Sequence, residues 1–531
     1  MAKRILILGA GVMQGPAIRL AKARGLEAVV VDADAAAPCA AEADRFERID
    51  LKDKHALEAF ARKLAADGGL AGVMTAGTDF SASVAWVAER LGLPGIPHEA
   101  ALDASDKERM RRRFREAGVP SPKFVILSAL PTGPATIPFD FPVVVKPVDN
   151  MGARGCRRVD GEAEFAGAVA DALRYSRTGR AIVEQYMEGP EFSVDALVHG
   201  GKITICGLAD RHIFFPPYFI EMGHTMPTSV DAETAAELLF VFEQGVRALG
   251  IMEGAAKGDI KLTAGGPMIG EIAARLSGGY MSGWTYPYSS GVEPTAGAIA
   301  IAVGEAPKDL EPKMNWTCAE RAFISIPGVV RSIEGLEAAS AEPHVKDLFL
   351  RVSPGSSVSF PENNVSKCGN VIAAAPLREE AVAAAERAAR RLLIRLEAPH
   401  PVTEAFLGTG LHGRRSFPPD AFSLPASLRA ALEEFPDPEP SAAAIREGRL
   451  AVLAFPALQS AESADYVGRN VEDSLAAVRR LTGLPLPVAR GADASPGAVI
   501  GRRFWKAICR GGYQGGAYLL DALARAVGAG E

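Results

Sequence analysis

The sequence predicts a multidomain chain of α/β and α+β architecture, and three observations carry that expectation. At 531 residues the chain is too long for one ordinary domain and suits roughly three or four units. Its first 95 residues alternate between strand and helix patterns. Residues 141–194 then read as strand, glycine loop, helix and strand, and a small α/β unit begins near residue 449.

Over residues 4–95 the strands are Ile5-Leu6-Ile7-Leu8, 28–31 and 71–74, separated by helical stretches such as 15–24 and 55–66. Such alternation gives a parallel sheet covered by helices on both faces. Gly25 is placed to close the first helix in the left-handed conformation. Residues 106–117 form a charged helix that ends at Gly118, and Pro120 and Pro122 mark a boundary. Beyond it lie strands at 141–146, 181–184 and 192–194 and a helix from about 162 to 174. The alanine-, glutamate- and arginine-rich run 379–391 is a helix. Residues 417–440 are rich in proline and read as a connector, followed by a strand at 450–455 and a helix at 473–481.

Composition narrows the partners. The chain is 48% hydrophobic and 23% charged, with a net charge of −6. A mildly acidic protein has no general attraction for nucleic acid or an anionic membrane, so any phosphate site must be a local cluster of basic groups and backbone amides. The six cysteines form no CxxC pair, which argues against a zinc knuckle or a disulfide framework and suits a reducing cytoplasm. The apolar run at 5–8 breaks at Gly9-Ala10-Gly11 and is expected to be a strand rather than a leader. No apolar stretch reaches the roughly 20 residues of a membrane helix.

Gly9-Ala10-Gly11 follows a strand and precedes a helix, a turn that brings amides towards a ligand, and Asp32 could accept from ribose hydroxyls. The third glycine, Gly15, comes one position later than the dinucleotide pattern requires, so a sharp turn with no cofactor is the competing reading. Gly77-Thr78-Asp79 after the third strand suits a small-ligand cleft.

The central block carries more chemistry. Lys146 ends an apolar strand, from which it can reach nucleotide phosphates. The loop Asp149-Asn150-Met151-Gly152-Ala153-Arg154-Gly155 holds two glycines that let amides approach phosphate oxygens, although an ordinary hairpin loop has a similar composition. Glu184-Gln185-Tyr186-Met187 could clamp a purine, and Glu191 could accept from a ribose. Asp259 lies on one strand and Glu271 on the next, with a turn at 264–267 between them. Adjacent antiparallel strands would bring these two acids together, as magnesium beside phosphates requires, and Arg275 could steady a transferring phosphoryl group. A cross-strand acid pair balanced by lysines is the structural alternative.

Lys107 after Asp106, Lys146 with its glycine loop, Glu184-Gln185-Tyr186-Met187 with Glu191, and Asp259, Glu271 and Arg275 occur in that order. The set resembles the ATP-grasp superfamily over roughly residues 1–400. The block through Thr78-Asp79 and Leu93-Pro94-Gly95 is similar to the domain that precedes ATP-grasp in biotin carboxylase and purine-synthesis ligases. The resemblance implies a Rossmann-like domain over 1–105 and an ATP-grasp unit over 106–315 with a mobile lid at about 120–195. It further implies a C-terminal lobe over 316–400, a connector over 401–445 and a small domain of unassigned role over 446–531. It also implies that Lys107 and Lys146 contact ATP phosphates and that Gly152 and Gly155 lie in the phosphate-covering loop. Glu184 and the backbone of Gln185, Tyr186 and Met187 would hold adenine, Glu191 the ribose, Asp259 and Glu271 the magnesium (or manganese), and Arg275 the acyl-phosphate step.

One position departs from the pattern. Many members carry Glu-x-Asn-x-Arg, whereas here Ala273 stands where the asparagine ligand would be. The run 271–279 instead resembles the branch containing L-amino-acid ligases, as do Ile326-Pro327-Gly328-Val329-Val330 and Pro354-Gly355. That branch has a histidine in a stretch similar to the one around His224, which implies an acceptor-site role for it in a polar loop; a structural histidine is the alternative. Arg211-His212 is a weaker candidate pair for substrate carboxylates. Phe504-Trp505-Lys506 and the glycine-rich 510–516 either pack the last unit or line the acceptor site.

The expected function is ATP-dependent joining of a small carboxylic acid, an amino acid or related metabolite, to an amine. A purine-pathway or carboxyphosphate-forming ligase and a non-catalytic ATP-binding regulator are the alternatives. No nucleic-acid or membrane partner is expected, and a homodimer follows only by analogy with the superfamily.

Overall fold

The computed structural model describes residues 3–131, 133, 137–412, 416–459, 463–490 and 497–528. They form two compact units, one of residues 1–213, 223–320 and 374–381, the other of residues 214–222, 321–373 and 382–531.

The first unit opens with a parallel sheet in the order β3-β2-β1-β4, formed by β1 (Arg4–Leu8), β2 (Glu27–Asp32), β3 (Arg45–Arg48) and β4 (Leu70–Met74). Ile5 to Leu8 and Ala28 to Val31 are fully buried, as strands covered on both faces must be. The helices here are α1 (Gly15–Ala23), α2 (Lys54–Ala66), α3 (Ser81–Leu91), α4 (His98–Ser105) and α5 (Lys107–Glu116). Asp53 caps α2 by accepting from the Ala56 amide, and Asp106 caps α5 by accepting from the amides of Glu108 and Arg109. Gly72 on β4 is required by packing: a Cβ there would stand 2.1 Å from the Ala302 carbonyl oxygen.

A second sheet, order β5-β8-β6-β7, holds β5 (Phe124–Leu127), β6 (Val143–Pro147), β7 (Arg157–Val159) and β8 (Ala181–Gln185), with α6 (Glu162–Tyr175) packed on it. A third contains β9 (Glu191–His199), β10 (Lys202–Phe214), β11 (Ile220–Met226), β12 (Gly254–Thr263) and β13 (Gly266–Ala273). These five of its strands are neighbours in the order β13-β12-β9-β10-β11, with α7 (Ala232–Ala248) against them. The architecture is thus the mixed α/β and α+β one expected from the sequence.

The second unit contains a large apolar core in its C-terminal part. The stretch read as a connector contributes Phe422, Leu424, Leu432 and Ala444 to the core that also holds Val452, Leu475, Phe504 and Trp505. Its strands Ala451–Leu453, Val488–Ala489 and Val499–Ile500 are parallel. The glycine-rich 510–516 lies inside the helical stretch Arg502–Gly528, which breaks at Gly512 (φ 60°, ψ −149°). These glycines serve close packing. A Cβ at Gly515 would lie 2.1 Å from the Ala507 carbonyl oxygen, and one at Gly516 would lie 2.6 Å from Ile508. Phe504 and Trp505 are fully buried, and the Trp505 indole donates to the Leu453 carbonyl at 2.8 Å. Among the described residues no helix is long and apolar enough to cross a membrane.

Candidate active site

Every residue singled out for nucleotide or metal binding lies in the first unit. Asp259 and Glu271 are register partners on β12 and β13, so their side chains leave the same face of the sheet. Lys107, the first residue of α5, is 5% exposed and its Nζ lies 3.6 Å from Glu271 Oε1. The same ammonium donates to the Asn150 carbonyl at 2.9 Å, tying α5 to the start of the glycine loop. Burial alone would raise the Glu271 carboxyl, but Lys107, then Lys146 and Lys257, outweigh it and hold the group below the usual carboxylate range. Lys107 is the mirror case: burial opposes its charge, and Glu271 and Asp79 keep its pKa raised.

In the glycine loop Gly152 has φ +67°, Ala153 +60° and Gly155 +68°. Gly155 is fixed twice, since a Cβ there would also meet Tyr175 at 2.8 Å. Cys156 follows directly; burial pushes its thiol up to about 11 although Lys146 and Lys107 oppose the shift.

Lys146, at the end of β6, pairs at 2.8 Å with Oε2 of Glu184, which is 2% exposed. Arg111 approaches the other carboxylate oxygen at 2.8 Å. Burial would raise the Glu184 carboxyl, and Arg111 and Lys146 hold it below its usual value. This carboxylate therefore faces two cations. The amides of Gln185 and Tyr186 donate to the carbonyls of Lys123 and Pro142, and the cations of Arg158 and Lys261 lie 4.5 Å and 5.3 Å from the centre of the Tyr186 ring. Glu191 pairs with Arg211, and with Lys261 at 3.8 Å.

Asp259 is held by Lys257 and, at 2.8 Å, by Arg211, and its Oδ1 accepts from the Ser193 hydroxyl at 3.2 Å. Asp259 and Glu271 present hard oxygen donors of the kind magnesium takes, and these two residues would hold it. Among the described residues no third histidine, cysteine or acid joins them, in keeping with Ala273 at the expected asparagine position.

Arg275 is 9% exposed and donates to the Leu276 carbonyl at 2.9 Å. The loop after it meets the first domain: Ala76 bridges Leu276, and the Gly77 amide donates to the Leu276 carbonyl at 3.2 Å. Asp79 is placed here too, paired with Arg177 at 3.2 Å, and burial raises its carboxyl despite Arg177, Lys107 and Arg275.

His224 departs from expectation. It sits on β11 rather than in a polar loop, is 1% exposed, and has its Nδ1 3.3 Å from Glu320 Oε2. Its neighbour on β10, His212, contacts the Thr225 hydroxyl at 2.9 Å. The first glycine turn is also used internally. Asp32 accepts from the Ala10 amide at 2.8 Å and Gln14 from the Gly11 amide at 2.9 Å, so the amides and the acid a dinucleotide would need are already engaged.

Two features escaped the motif reading. Arg111 lies in the run Arg109-Met110-Arg111-Arg112-Arg113, but helical period places it with Lys107, Met110 and Phe114 on the buried face of α5. Asp195 is a fully buried carboxylate that accepts from the Ser277 amide at 3.0 Å and from the Ser277 hydroxyl. Burial lifts its pKa to about 6 against those bonds. The folded state therefore binds the proton more tightly than the unfolded chain, and this group's contribution to stability is complete below about pH 4 and lost as pH rises through 6. Asp195→Asn is expected to remove that dependence: its unfolding free energy relative to the unaltered chain should rise between pH 4 and 6 and level off above. A difference that is flat across this range would show that Asp195 does not titrate there.

Three domain models match the chain. Residues 18–95 match the ATP-grasp N-terminal domain, residues 139–283 the ATP-grasp domain, and residues 322–397 the L-amino acid ligase C-terminal domain 2. The uncharacterized protein y4rH of Sinorhizobium fredii (strain NBRC 101917 / NGR234) is 27% identical over 371 residues, which is 68% of this chain and 76% of that protein. A D-alanine–D-alanine ligase of Pseudomonas entomophila (strain L48) is 29% identical over 170 residues, 31% of this chain and 52% of the ligase, so the match spans about half of that relative. The crystal structure of L-amino acid ligase from Bacillus licheniformis superposes with a TM-score of 0.65 at 22% identity, covering 74% of this chain and 99% of that one. The chain carries the N-terminal and core domains of the ATP-grasp family and an L-amino acid ligase C-terminal domain.

Proposed function

We propose that the protein is an ATP- and magnesium-dependent carboxylate–amine ligase that acts on a small carboxylic acid, an amino acid or a close relative. The observation that carries this reading is the convergence on one site of Lys107, Lys146, Arg275 and the register-paired acids Asp259 and Glu271. A carboxylate is a poor electrophile because its oxygen is a bad leaving group. Transfer of the γ-phosphoryl of ATP to that oxygen breaks the β,γ-anhydride bond, releases ADP and makes an acyl phosphate. A neutral amine then attacks the acyl carbon, phosphate leaves, and the amine proton passes to solvent or to a nearby base.

This chain's contribution is positioning and charge. Lys107 and Lys146 face the phosphates, the 149–155 loop covers them and excludes water, and Arg275 offsets charge on the phosphoryl in flight. Asp259 and Glu271 would hold magnesium, or manganese in its place, which screens the phosphate oxygens when bound. Since the Glu184 carboxylate is shared by two cations, it is better suited to holding Lys146 than to reading adenine; Tyr186 and Met187 are left to cover the base. His224, buried against Glu320, fits a role in shaping the acceptor side. The reaction partners are small molecules, and the homodimer expected by analogy is checked by light scattering of the active fraction.

The test is ADP and phosphate release from ATP and magnesium, screened against pools of amino acids and other small acids with amines. Release that depends on one acid and rises with one amine is the expected result and names both substrates. AMP and pyrophosphate would overturn the phosphoryl-transfer mechanism, and release driven by bicarbonate alone would move the chain to the carboxyphosphate-forming ligases.

A further inference from the structure

α5 carries four arginines between Lys107 and Phe114, and three of them face outward to acids. Arg109 pairs with Glu99 and Asp103, Arg112 with Glu108, and Arg113 with Asp103. Arg111 alone among them is 0% exposed. Its Nε lies 2.8 Å from Glu184 Oε1 in an off-axis approach, a pairing of charges and not an aligned hydrogen bond. Its Nη2 donates to the Gly270 carbonyl at 2.5 Å, and its Nη1 is buried with no hydrogen-bond partner among the described residues. The other oxygen of Glu184 holds Lys146 at 2.8 Å. Met110 and Phe114 flank it in an apolar core with Phe192 and Phe242. A buried ion triad with an unpartnered nitrogen is a poor way to stabilise such a core, since apolar side chains of similar volume usually do as well or better. What the guanidinium supplies that a methionine would not is a charge contact to one sheet and a hydrogen bond to another.

We infer that Arg111 is a positioning residue of the nucleotide site: it fixes Glu184, and through it Lys146, on the β5–β8 sheet, and fixes the Gly270 carbonyl, next to Glu271, on β13. This rests on the reading of Lys146 as a phosphate group and Glu271 as a metal ligand. One rigid fork thereby sets the spacing between the lysine that meets the phosphates and the acid that meets the metal. Lysine at this position would keep the charge for Glu184, but its single ammonium would not span to Gly270 as well.

The test measures ATP binding to the full chain by calorimetry, first without magnesium and then with magnesium titrated in, each corrected for the folded fraction. Arg111→Met is expected to weaken ATP binding about tenfold and to raise the magnesium concentration needed for half-maximal binding. Arg111→Lys should recover most of the magnesium-free affinity while keeping the raised magnesium requirement. In a Lys146→Ala background, Arg111→Met should have almost no further effect on magnesium-free binding, because both changes remove the same contact. Additive losses in that cycle, or an unchanged magnesium requirement in Arg111→Lys, would overturn the proposal; the latter comparison stands even if Arg111→Met does not fold. An unaltered chain that binds no ATP would overturn the nucleotide-site reading itself.

Discussion

Glu271→Gln is expected to lower ADP release at least 10²- to 10³-fold, the range seen when one group that stabilises transferring charge is removed. The carboxylate is register-paired with Asp259 and held ionised by Lys107, Lys146 and Lys257 in spite of its burial. Those features suit a metal ligand more than a structural acid. A neutral amide keeps the volume and can accept from Lys107, whose second contact, the Asn150 carbonyl, is untouched, so thermal unfolding should shift little. Excess magnesium should not restore turnover, because Ala273 offers no alternative donor on the same strand. Turnover retained at saturating magnesium would remove Glu271 from the metal site and leave it as a counter-ion for Lys107.

The second large effect is on stability and lies in the other unit. Arg510 and Asp420 form a pair at 3.0 Å with side chains 3% and 2% exposed, and the same guanidinium donates to the carbonyls of Pro418 and Phe406. Arg510→Met should cost about 3–5 kcal/mol, because it leaves the Asp420 charge buried without its cation. Burial already raises the Asp420 carboxyl and Arg510 opposes that shift, so without the arginine it moves further up and the acid neutralises more readily. The penalty should accordingly shrink in acid. Arg510→Met combined with Asp420→Leu should recover much of the loss. Denaturant unfolding of the chain and both variants at pH 5 and pH 8 decides this. Equal penalties at both values would mean that the lost carbonyl contacts, and not the charge, carry the effect.

The sequence alone determined most of the strand and helix pattern and drew attention to the charged positions that the structure gathers in the first unit. Ile5 to Leu8 and Ala28 to Val31 read as buried parallel strands because both faces of such strands are apolar. Asp259 and Glu271 could be paired from sequence because the turn between them, near Gly266, is short enough to set the register of two neighbouring strands. The glycine loop was legible because residues 152 and 155 need left-handed backbone.

Tertiary structure decided what each charge faces. Helical period sets Arg111 apart from Arg112 and Arg113, but only the tertiary structure shows that its guanidinium meets Glu184 and the Gly270 carbonyl. Glu184 read as a purine contact until Lys146 and Arg111, 38 and 73 residues away in sequence, were found on its two oxygens. His224 read as a loop residue because its stretch is polar and glycine-containing, yet it lies on a strand, buried against Glu320. Asp32 and Gln14 show the same limit, since a turn that looks open to a cofactor is closed by side chains that fold back onto its amides. Local pattern fixes the backbone because its causes lie within a few residues. The partner of a buried charge is set by chain segments that meet only after folding, and no local period records it.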